Sequence, residues 1–298
     1  MQVDLHIHSN YSDGSDTPEQ IVKQAREKKI SLIALTDHNT IEGIDEFKQT
    51  CLKYQQPSLA GIEISTNLHG HEIHLLSYFN LDNDFNDKRF IPLKQLIDEY
   101  KAIKQHQNEA ILEKLINRYP QLSIAEFYEF SKTISKKQNL NRVHIAKYLA
   151  NKGIVATFQE ALNDYINEDG IFFVAKVPID LFKAIKIVHQ CNGIAIIGHI
   201  GEYDLGAKIN DFIDECYHQG IDGFECFHPS NQRYEIDLLW QISKKYPDLL
   251  LTMGSDYHGK NKPNNLLGKP YYGEFDDDQL HRLQQLAKKL KNLDKILK

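Results

Sequence analysis

Nine histidine, aspartate and glutamate residues are spread through the chain close to the ends of predicted β-strands. Each of them can bind a divalent metal ion through an imidazole nitrogen or a carboxylate oxygen. They are His6, His8, Asp13, His38, Glu63, His74, His199, Asp256 and His258. Nine ligands are more than one ion needs, and multi-metal sites of nitrogen and oxygen ligands usually hydrolyse phosphate or amide bonds. The sequence therefore predicts a multi-metal hydrolytic site.

Short strand-like runs carry these residues. Val3, Leu5 and Ile7 alternate with polar residues, so His6 and His8 point to the same side of a strand. Further strands are predicted at 31–35, 59–64, 72–78, 193–197, 223–227 and 249–253, with helical patterns between most of them. Repeated β/α units predict a parallel sheet, open or closed, whose active site lies at the carboxyl ends of the strands.

His74 is the exception, because it lies within its predicted strand and has to point inward from a deeper level. His71 is three residues away and falls on the opposite side of the strand. We therefore interpret His74 as the ligand, and His69 and His71 as turn residues that face solvent.

The middle of the chain shows helix signals and no convincing strand. A long amphipathic helix is predicted at 92–118, capping boxes begin at Ser123 and Thr157, and Gly153 fits the end of a helix over 141–152. Strands then resume with more of the same ligand types, which an insertion explains better than a tandem of two domains. We predict an α/β body of residues 1–80 and 172–298 that carries the metal site, interrupted by an all-helical domain of residues 81–171.

Composition narrows the class of protein. The chain has 298 residues, 41% hydrophobic and 26% charged, as in a soluble globular protein. Its formal net charge of -6 argues against binding to duplex DNA or an anionic membrane. Four cysteines without CxxC spacing and an N-terminus without an apolar leader predict a cytoplasmic protein, and no apolar run is long enough for a membrane span.

Each motif also has an ordinary interpretation. The pair His6 and His8 could be two surface histidines, Asp37 could cap a helix before an exposed His38, and Glu63 could be an ion-pair partner. The metal site is favoured because ligand-type residues occur at five independent strand ends.

Six short motifs resemble those of the PHP (polymerase and histidinol phosphatase) family. They are Asp4-Leu5-His6-Ile7-His8-Ser9, Tyr11-Ser12-Asp13-Gly14, Leu35-Thr36-Asp37-His38-Asn39-Thr40, Gly61-Ile62-Glu63, Gly198-His199 and Gly254-Ser255-Asp256-Tyr257-His258. The resemblance implies a distorted seven-stranded β/α barrel with three divalent metal ions. The chain departs from the family at Asn39, where the motif commonly has aspartate.

The resemblance also implies how the nine ligands divide among three ions. The first would be held by His6, His8, Glu63 and Asp256, the second by Glu63, His74 and His199, and the third by Asp13, His38 and His258. Glu63 would bridge two of them. Imidazole and carboxylate ligands without thiolate suit Mn, Zn or Fe.

Two weaker motifs are similar to one branch of the family. They are Asn141-Arg142-Val143-His144-Ile145-Ala146 in the helical insert and Glu225-Cys226-Phe227-His228-Pro229-Ser230 at a strand end. This branch includes the 3',5'-nucleotide bisphosphate phosphatases and the short-RNA 5'-exoribonuclease called RNase AM. Arg142 could donate two parallel hydrogen bonds to the second phosphate of a bisphosphate, or it could be an arginine on a helix surface that is solvated by water. Lys176, His228 and Ser230 are further candidates for substrate binding.

We therefore predict a metal-dependent phosphoesterase that acts on 3',5'-bisphosphate nucleotides and on the 5' ends of short RNA through metal-bridging hydroxide. No GxSxG motif or activated cysteine supports a covalent mechanism. One alternative is a phosphatase for another small phosphomonoester, such as histidinol phosphate. Another is a non-catalytic metal-binding accessory module, which would be expected to have lost some of its ligands. Amidohydrolase-like C–N cleavage is disfavoured, because a binuclear site needs neither Asp13 nor His258.

Overall fold

Seven strands form one sheet in the computed structural model of the chain. The model describes residues 2–134, 140, 142–167, 170–175, 179–271, 277–278, 281–282 and 284–285. The strands are β1 (Val3–Ile7), β2 (Leu32–Leu35), β3 (Ser58–Leu68), β4 (His71–Asn80), β5 (Ile194–Ile197), β6 (Gly223–Phe227) and β7 (Leu250–Met253). β2 is a fully buried apolar run and β5 is apolar and buried except at its first residue, as expected for strands that are covered on both faces.

The sheet is a nearly closed barrel in which the strands follow chain order. A parallel bridge between Ile7 and Tyr257 joins the first strand to the segment after the last. The predicted α/β barrel is confirmed, but the expectation of a parallel sheet is wrong at one strand. β4 runs antiparallel to both β3 and β5, because a tight turn at residues 69–70 joins β3 to β4 as a hairpin without an intervening helix.

Among the described residues, five helices lie wholly within the barrel unit: α1 (Pro18–Glu27), α2 (Ile44–Tyr54), α7 (Leu181–Gln190), α8 (Ile209–His218) and α9 (Arg233–Lys245). Each buries one apolar stripe. In α7 the stripe is Leu181, Ala184, Ile185 and Val188, the spacing of one helix face, and the helix packs on β3, β4 and β5. A capping box at Thr17 begins α1, with Pro18 at the first position of the helix.

The second unit is helical in the part that the structure describes. It contains most of α3 (Ile91–Arg118), α4 (Ile124–Ile134), α5 (Arg142–Asn151) and the short α6 (Phe158–Glu160), which continues as a π-helix over Ala161–Ile166. Leu112, Leu115, Phe127, Ile145 and Leu149 are buried together in its own core. A separate apolar core is the physical basis for treating this segment as a compact unit.

The two compact units are residues 1–94 with 179–298, and residues 95–178. The predicted domain boundaries lie at 80/81 and 171/172, so segments 81–94 and 172–178 each lie in the other unit from the one predicted. Residues 81–94 belong with the barrel because Phe85 and Phe90 pack against Phe79 of β4, with ring centroids 5.8 and 5.5 Å away. The extent of a functional helical domain stays a prediction.

Among the residues that the structure describes, no helix combines the length and the apolar character required to cross a bilayer.

Gly223 offers a test of the barrel's close packing. A Cβ at this position of β6 would lie 1.9 Å from the backbone oxygen of Leu250 in β7. We expect Gly223→Ala to cost about 3 kcal/mol or more, because backbone cannot yield as a side-chain tip does. The matched control is Gly70→Ala in an open turn with φ of +91°, where only backbone conformation opposes alanine, at about 1 kcal/mol. Thermal melts measure both, and equal melting temperatures would contradict the packing argument.

Candidate metal centre

The nine predicted ligands lie together at one end of the barrel. His6 lies in β1 and His8 follows it, His38 follows β2, and His199 follows β5, so parallel strands deliver these residues from their carboxyl ends. The others come from the loop after β1, from β3 and β4, and from the loop after β7: Asp13, Glu63, His74, Asp256 and His258. The contacts described below link all nine side chains.

The antiparallel direction of β4 explains how His74 reaches this end of the barrel. Because β4 runs the other way, the start of the strand lies where the parallel strands end. His74 is paired with Ser65 of β3, two residues from Glu63 and on the same face. Its Nδ1 is 2.9 Å from Glu63 Oε1. His74 therefore does not have to reach the site from deeper in the barrel, and that part of the sequence-based interpretation is wrong.

Glu63 is the centre of the cluster. Its Oε2 lies 3.0 Å from His38 Nδ1, 3.1 Å from His8 Nε2 and 3.3 Å from His6 Nε2. Its Oε1 lies within 3.0 Å of both His74 Nδ1 and His199 Nε2. One buried carboxylate therefore faces five imidazole rings.

Two aspartates complete the cluster. Asp256 Oδ1 lies 3.3 Å from His8 Nε2 and 3.5 Å from His6 Nε2. Asp13 Oδ1 lies 3.1 Å from His258 Nε2, and its Oδ2 is 3.9 Å from His38 Nε2. Asp13 is half exposed whereas Asp256 is buried, so the cluster opens to solvent on the Asp13 side.

Several buried ligand atoms of the cluster have no hydrogen-bond partner in the described part of the chain. They are the Nε2 atoms of His6, His8 and His258 and Oε2 of Glu63. Leaving buried polar atoms unsatisfied is costly, unless a cation accepts their lone pairs. The donor set is imidazole and carboxylate, which fits divalent metals of the Mn, Zn and Fe type.

The geometry can be compared with the three ligand sets implied by the family resemblance. Ligand atoms of His74, His199 and Glu63 lie within 3.2 Å of one another, as one set requires. Asp13, His38 and His258 form a compact group that also includes His8. A third group contains His6, His8 and Asp256. The number of ions and their division among the ligands stay predictions.

Electrostatics keep the cluster attractive to cations. Burial would raise the pKa of Glu63, but the surrounding histidines hold it well below its usual range, so the carboxylate is ionised. Burial lowers the pKa of His38 to about 3 against the pull of Glu63, which leaves that ring neutral. Burial also opposes protonation of His74, but Glu63 outweighs it and raises the pKa to about 10. Protons and metal ions therefore compete for the same lone pairs.

Two ligands have strained backbones that buried carboxylates hold in place. His199 has φ of 24° and Asp256 has φ of 51°, both in the left-handed region. The His199 backbone N–H donates to Glu225 Oε2 at 2.9 Å, and the Ser255 backbone N–H donates to Asp4 Oδ1 at 2.9 Å. These two acids fix the loops that present the ligands.

The backbone of Asn39 is also in the left-handed region, with φ of 51°. Its Oδ1 accepts from the Ser65 backbone N–H at 2.9 Å, and its Nδ2 donates to Ser65 Oγ at 3.0 Å. An aspartate could accept from both groups but donate to neither. The asparagine thus joins the loop after β2 to β3 through a neutral amide.

Sequence reasoning missed two groups at this site. Glu225 in β6 is fully buried and lies 3.1 Å from His6 Nδ1, and its signal was an acid within an otherwise apolar strand. Lys262 lies on the loop after β7, with Nζ 2.7 Å from Asp256 Oδ2. Nothing in the sequence around Lys262 distinguishes it from other surface lysines.

The four predicted substrate contacts fall in different places. His228 is buried beside His6 and His199, with ring centroids 5.6 and 5.1 Å away, and Ser230 Oγ lies 2.7 Å from its Nδ1. Arg142 begins α5 in the second unit, where its Nη1 donates to the backbone oxygen of Ile166 at 3.5 Å. Lys176 lies outside the described residues.

Comparison with known proteins gives the same family over most of the chain. A model of the PHP domain matches residues 4–168. A 5'-3' exoribonuclease of Haemophilus influenzae is 30% identical over 86% of this chain and 89% of its own length. A 3',5'-nucleoside bisphosphate phosphatase of Chromobacterium violaceum is 25% identical over 89% of this chain and 90% of its own.

A solved structure agrees with these relatives. It is that of a Bifidobacterium adolescentis protein described as a metal-dependent phosphoesterase, which matches with a TM-score of 0.72 and 26% identity. The match covers 95% of this chain and 96% of that one. With its cluster of nine predicted metal ligands at the mouth of a seven-stranded barrel, the chain belongs to the PHP domain family and is a metal-dependent phosphoesterase.

Proposed function

We propose that the chain hydrolyses phosphate esters of small nucleotides, in particular 3',5'-bisphosphate nucleotides, and removes nucleotides from the 5' ends of short RNA. The observation that carries this proposal is the cluster around Glu63, whose unsatisfied lone pairs converge from separate strands. Relatives that cover almost the same span act on such substrates by name, one as a 5'-3' exoribonuclease and one as a 3',5'-nucleoside bisphosphate phosphatase.

The nine ligands would hold three divalent ions, Mn, Zn or Fe, in the sets given above. Such ions supply Lewis acidity, which polarises a phosphate ester and makes hydroxide available near neutral pH. Around them, Glu225 and Asp4 orient the ligand loops, and Lys262 places a cation beside Asp256. The chain's own residues thus supply binding and orientation.

The cysteines do not compete as nucleophiles. All four are buried and unpaired: Cys51, Cys191, Cys216 and Cys226. Burial raises the pKa of the Cys51 thiol to about 12 and raises that of Cys226 further, so neither forms the reactive thiolate near neutral pH. Hydrolysis without a covalent thiol intermediate is therefore the mechanism that fits.

Substrate charge has to be balanced locally, since the chain carries a formal net charge of -6. Metal ions and a few cations would do so. We assign Arg142 to the second phosphate of a bisphosphate, and Lys176, His228 and Ser230 to the wall of the site. Guanidinium geometry matches two phosphate oxygens, which is why Arg142 is the more informative of the two cations.

Metal content tests the ligand assignment. We expect three ions per chain after reconstitution with Mn or Zn. We expect His199→Ala to lower the metal content and to reduce the rate of phosphate release by about 100-fold or more. The matched control is His69→Ala, an exposed residue that lies outside the cluster and contacts Glu215. Elemental analysis and a phosphate assay provide the readouts. One ion or fewer per wild-type chain would exclude a trinuclear centre.

Arg142→Ala tests how the second phosphate is bound. The variant should raise KM for a 3',5'-bisphosphate nucleotide by ~10- to 100-fold, the effect expected from the loss of one or two charge-assisted hydrogen bonds. It should change KM little for the corresponding nucleotide monophosphate, which lacks the second phosphate. Arg118→Ala, at the end of α3 in the same unit, is the control for loss of one positive charge. Equal effects of Arg142→Ala on both substrates would reject the assignment.

A phosphate-release screen tests the substrate class directly. The panel compares 3',5'-bisphosphate nucleotides, 5'-phosphorylated short RNA and histidinol phosphate at equal concentration. We expect kcat/KM to be highest for the first two. A clear preference for histidinol phosphate would overturn the nucleotide assignment while leaving the phosphoesterase activity in place.

A further inference from the structure

His228 is a buried histidine beside the metal cluster that belongs to none of the three ligand sets. It follows β6, is 1% exposed, and its Nε2 has no hydrogen-bond partner among the described residues. That nitrogen lies 3.9 Å from Asp256 Oδ2, and the ring stands beside those of His6 and His199. By distance alone, His228 could be grouped with His6 and Glu225 as a further set of metal ligands.

The two contacts of Nδ1 with Ser230 decide which nitrogen of His228 carries the proton. Ser230 Oγ lies 2.7 Å from Nδ1, and the backbone N–H of Ser230 donates to Nδ1 at 3.0 Å. The hydroxyl can either donate or accept, but a backbone amide nitrogen only donates, so Nδ1 is the acceptor and the hydroxyl donates to it as well. In the neutral ring the proton then lies on Nε2, the atom that faces the cluster.

Two metal-ligand histidines show the opposite arrangement. Nδ1 of His258 lies 2.8 Å from the backbone oxygen of Asp256, and Nδ1 of His6 lies 3.1 Å from a carboxylate oxygen of Glu225. Both partners accept hydrogen bonds, so Nδ1 carries the proton and Nε2 presents its lone pair to a cation. The hydrogen bonds of Nδ1 thus distinguish two kinds of histidine: those whose Nε2 presents a lone pair to the cluster, and one whose Nε2 presents a proton.

We propose that His228 is a hydrogen-bond donor to a phosphoryl oxygen of the substrate and not a metal ligand, with Ser230 as the positioning residue that fixes its tautomer. A nitrogen that carries a proton has no lone pair left for a metal. It does have the polarity that an anionic oxygen needs, in a buried setting where a hydrogen bond is strong. This role rests on the proposed phosphoesterase function and refines it.

Two substitutions at His228 separate the donor from the ring. Glutamine places an amide N–H close to the position of Nε2, whereas phenylalanine fills the ring volume with no donor. In the metal-loaded enzyme we expect His228→Phe to lower kcat/KM for a 3',5'-bisphosphate nucleotide roughly 100-fold, the usual effect of removing one such donor. His228→Gln should stay within about tenfold of wild type, and His69→Phe, in an exposed turn, should match wild type.

Metal content distinguishes a donor from a ligand. Wild type, His228→Phe and His228→Gln should bind the same number of ions, and loss of an ion in either variant would overturn the proposal. Equal activity of His228→Phe and wild type would also overturn it. If His228→Phe fails to fold, as shown by circular dichroism, the glutamine variant and the wild-type spectrum described next carry the test.

A spectroscopic readout keeps the proposal separate from the proposed function. In ¹⁵N NMR spectra of the wild type loaded with zinc, a diamagnetic ion, the His228 signals, identified by their absence in His228→Gln, should show a protonated Nε2, and inorganic phosphate should shift them. A metal-bound or unprotonated Nε2, or no response to phosphate, would overturn the inference. If wild type hydrolyses no phosphate ester, the proposed function fails, whereas this measurement still decides the role of His228.

Discussion

The ionised carboxylate of Glu63 is the constraint on which the site depends. A charge that is 1% exposed is unfavourable inside a barrel unless opposite charge compensates it. Five imidazole rings approach it, and only those that carry a proton or share a metal ion can balance the carboxylate. In the proposed metal centre, divalent cations shared among these side chains would do so, held by the surrounding loops. The buried acids Asp4 and Glu225 serve the same end, because they maintain left-handed backbones that would otherwise relax.

Hydrogen bonds one step outside the cluster sort its histidines by role. Where Nδ1 meets a carbonyl or carboxylate, as in His258 and His6, the inner nitrogen presents a lone pair. Where Nδ1 meets a backbone amide, as in His228, the inner nitrogen presents a proton. A single pocket can thus contain both metal-binding and anion-binding imidazoles, and their chemical difference is set by groups that touch neither metal nor substrate.

Much of the site could be predicted because ligand residues at strand ends are visible as a pattern. The alternation around His6 and His8 and the polar residues after apolar runs required only local rules. The direction of β4 could also have been inferred, because the predicted strands 59–64 and 72–78 leave only seven residues between them, fewer than the dozen or so that a parallel crossover needs. Glu225 and Lys262 were missed because their roles depend on partners distant in sequence, His6 and Asp256. Tautomers likewise follow from three-dimensional contacts alone.

The β3–β4 hairpin limits which insertions and deletions the barrel can accept. Ten consecutive residue pairs, from Leu59 with Asn80 to Leu68 with His71, run without a bulge, and Ser65 faces His74 within that ladder. A single inserted or deleted residue between Glu63 and the turn, or between the turn and His74, would turn one of the two side chains to the other face of the sheet. Changes of two residues preserve the facing. Length variation in this hairpin is therefore restricted by parity within the strands and is free only at the exposed turn, residues 69–70.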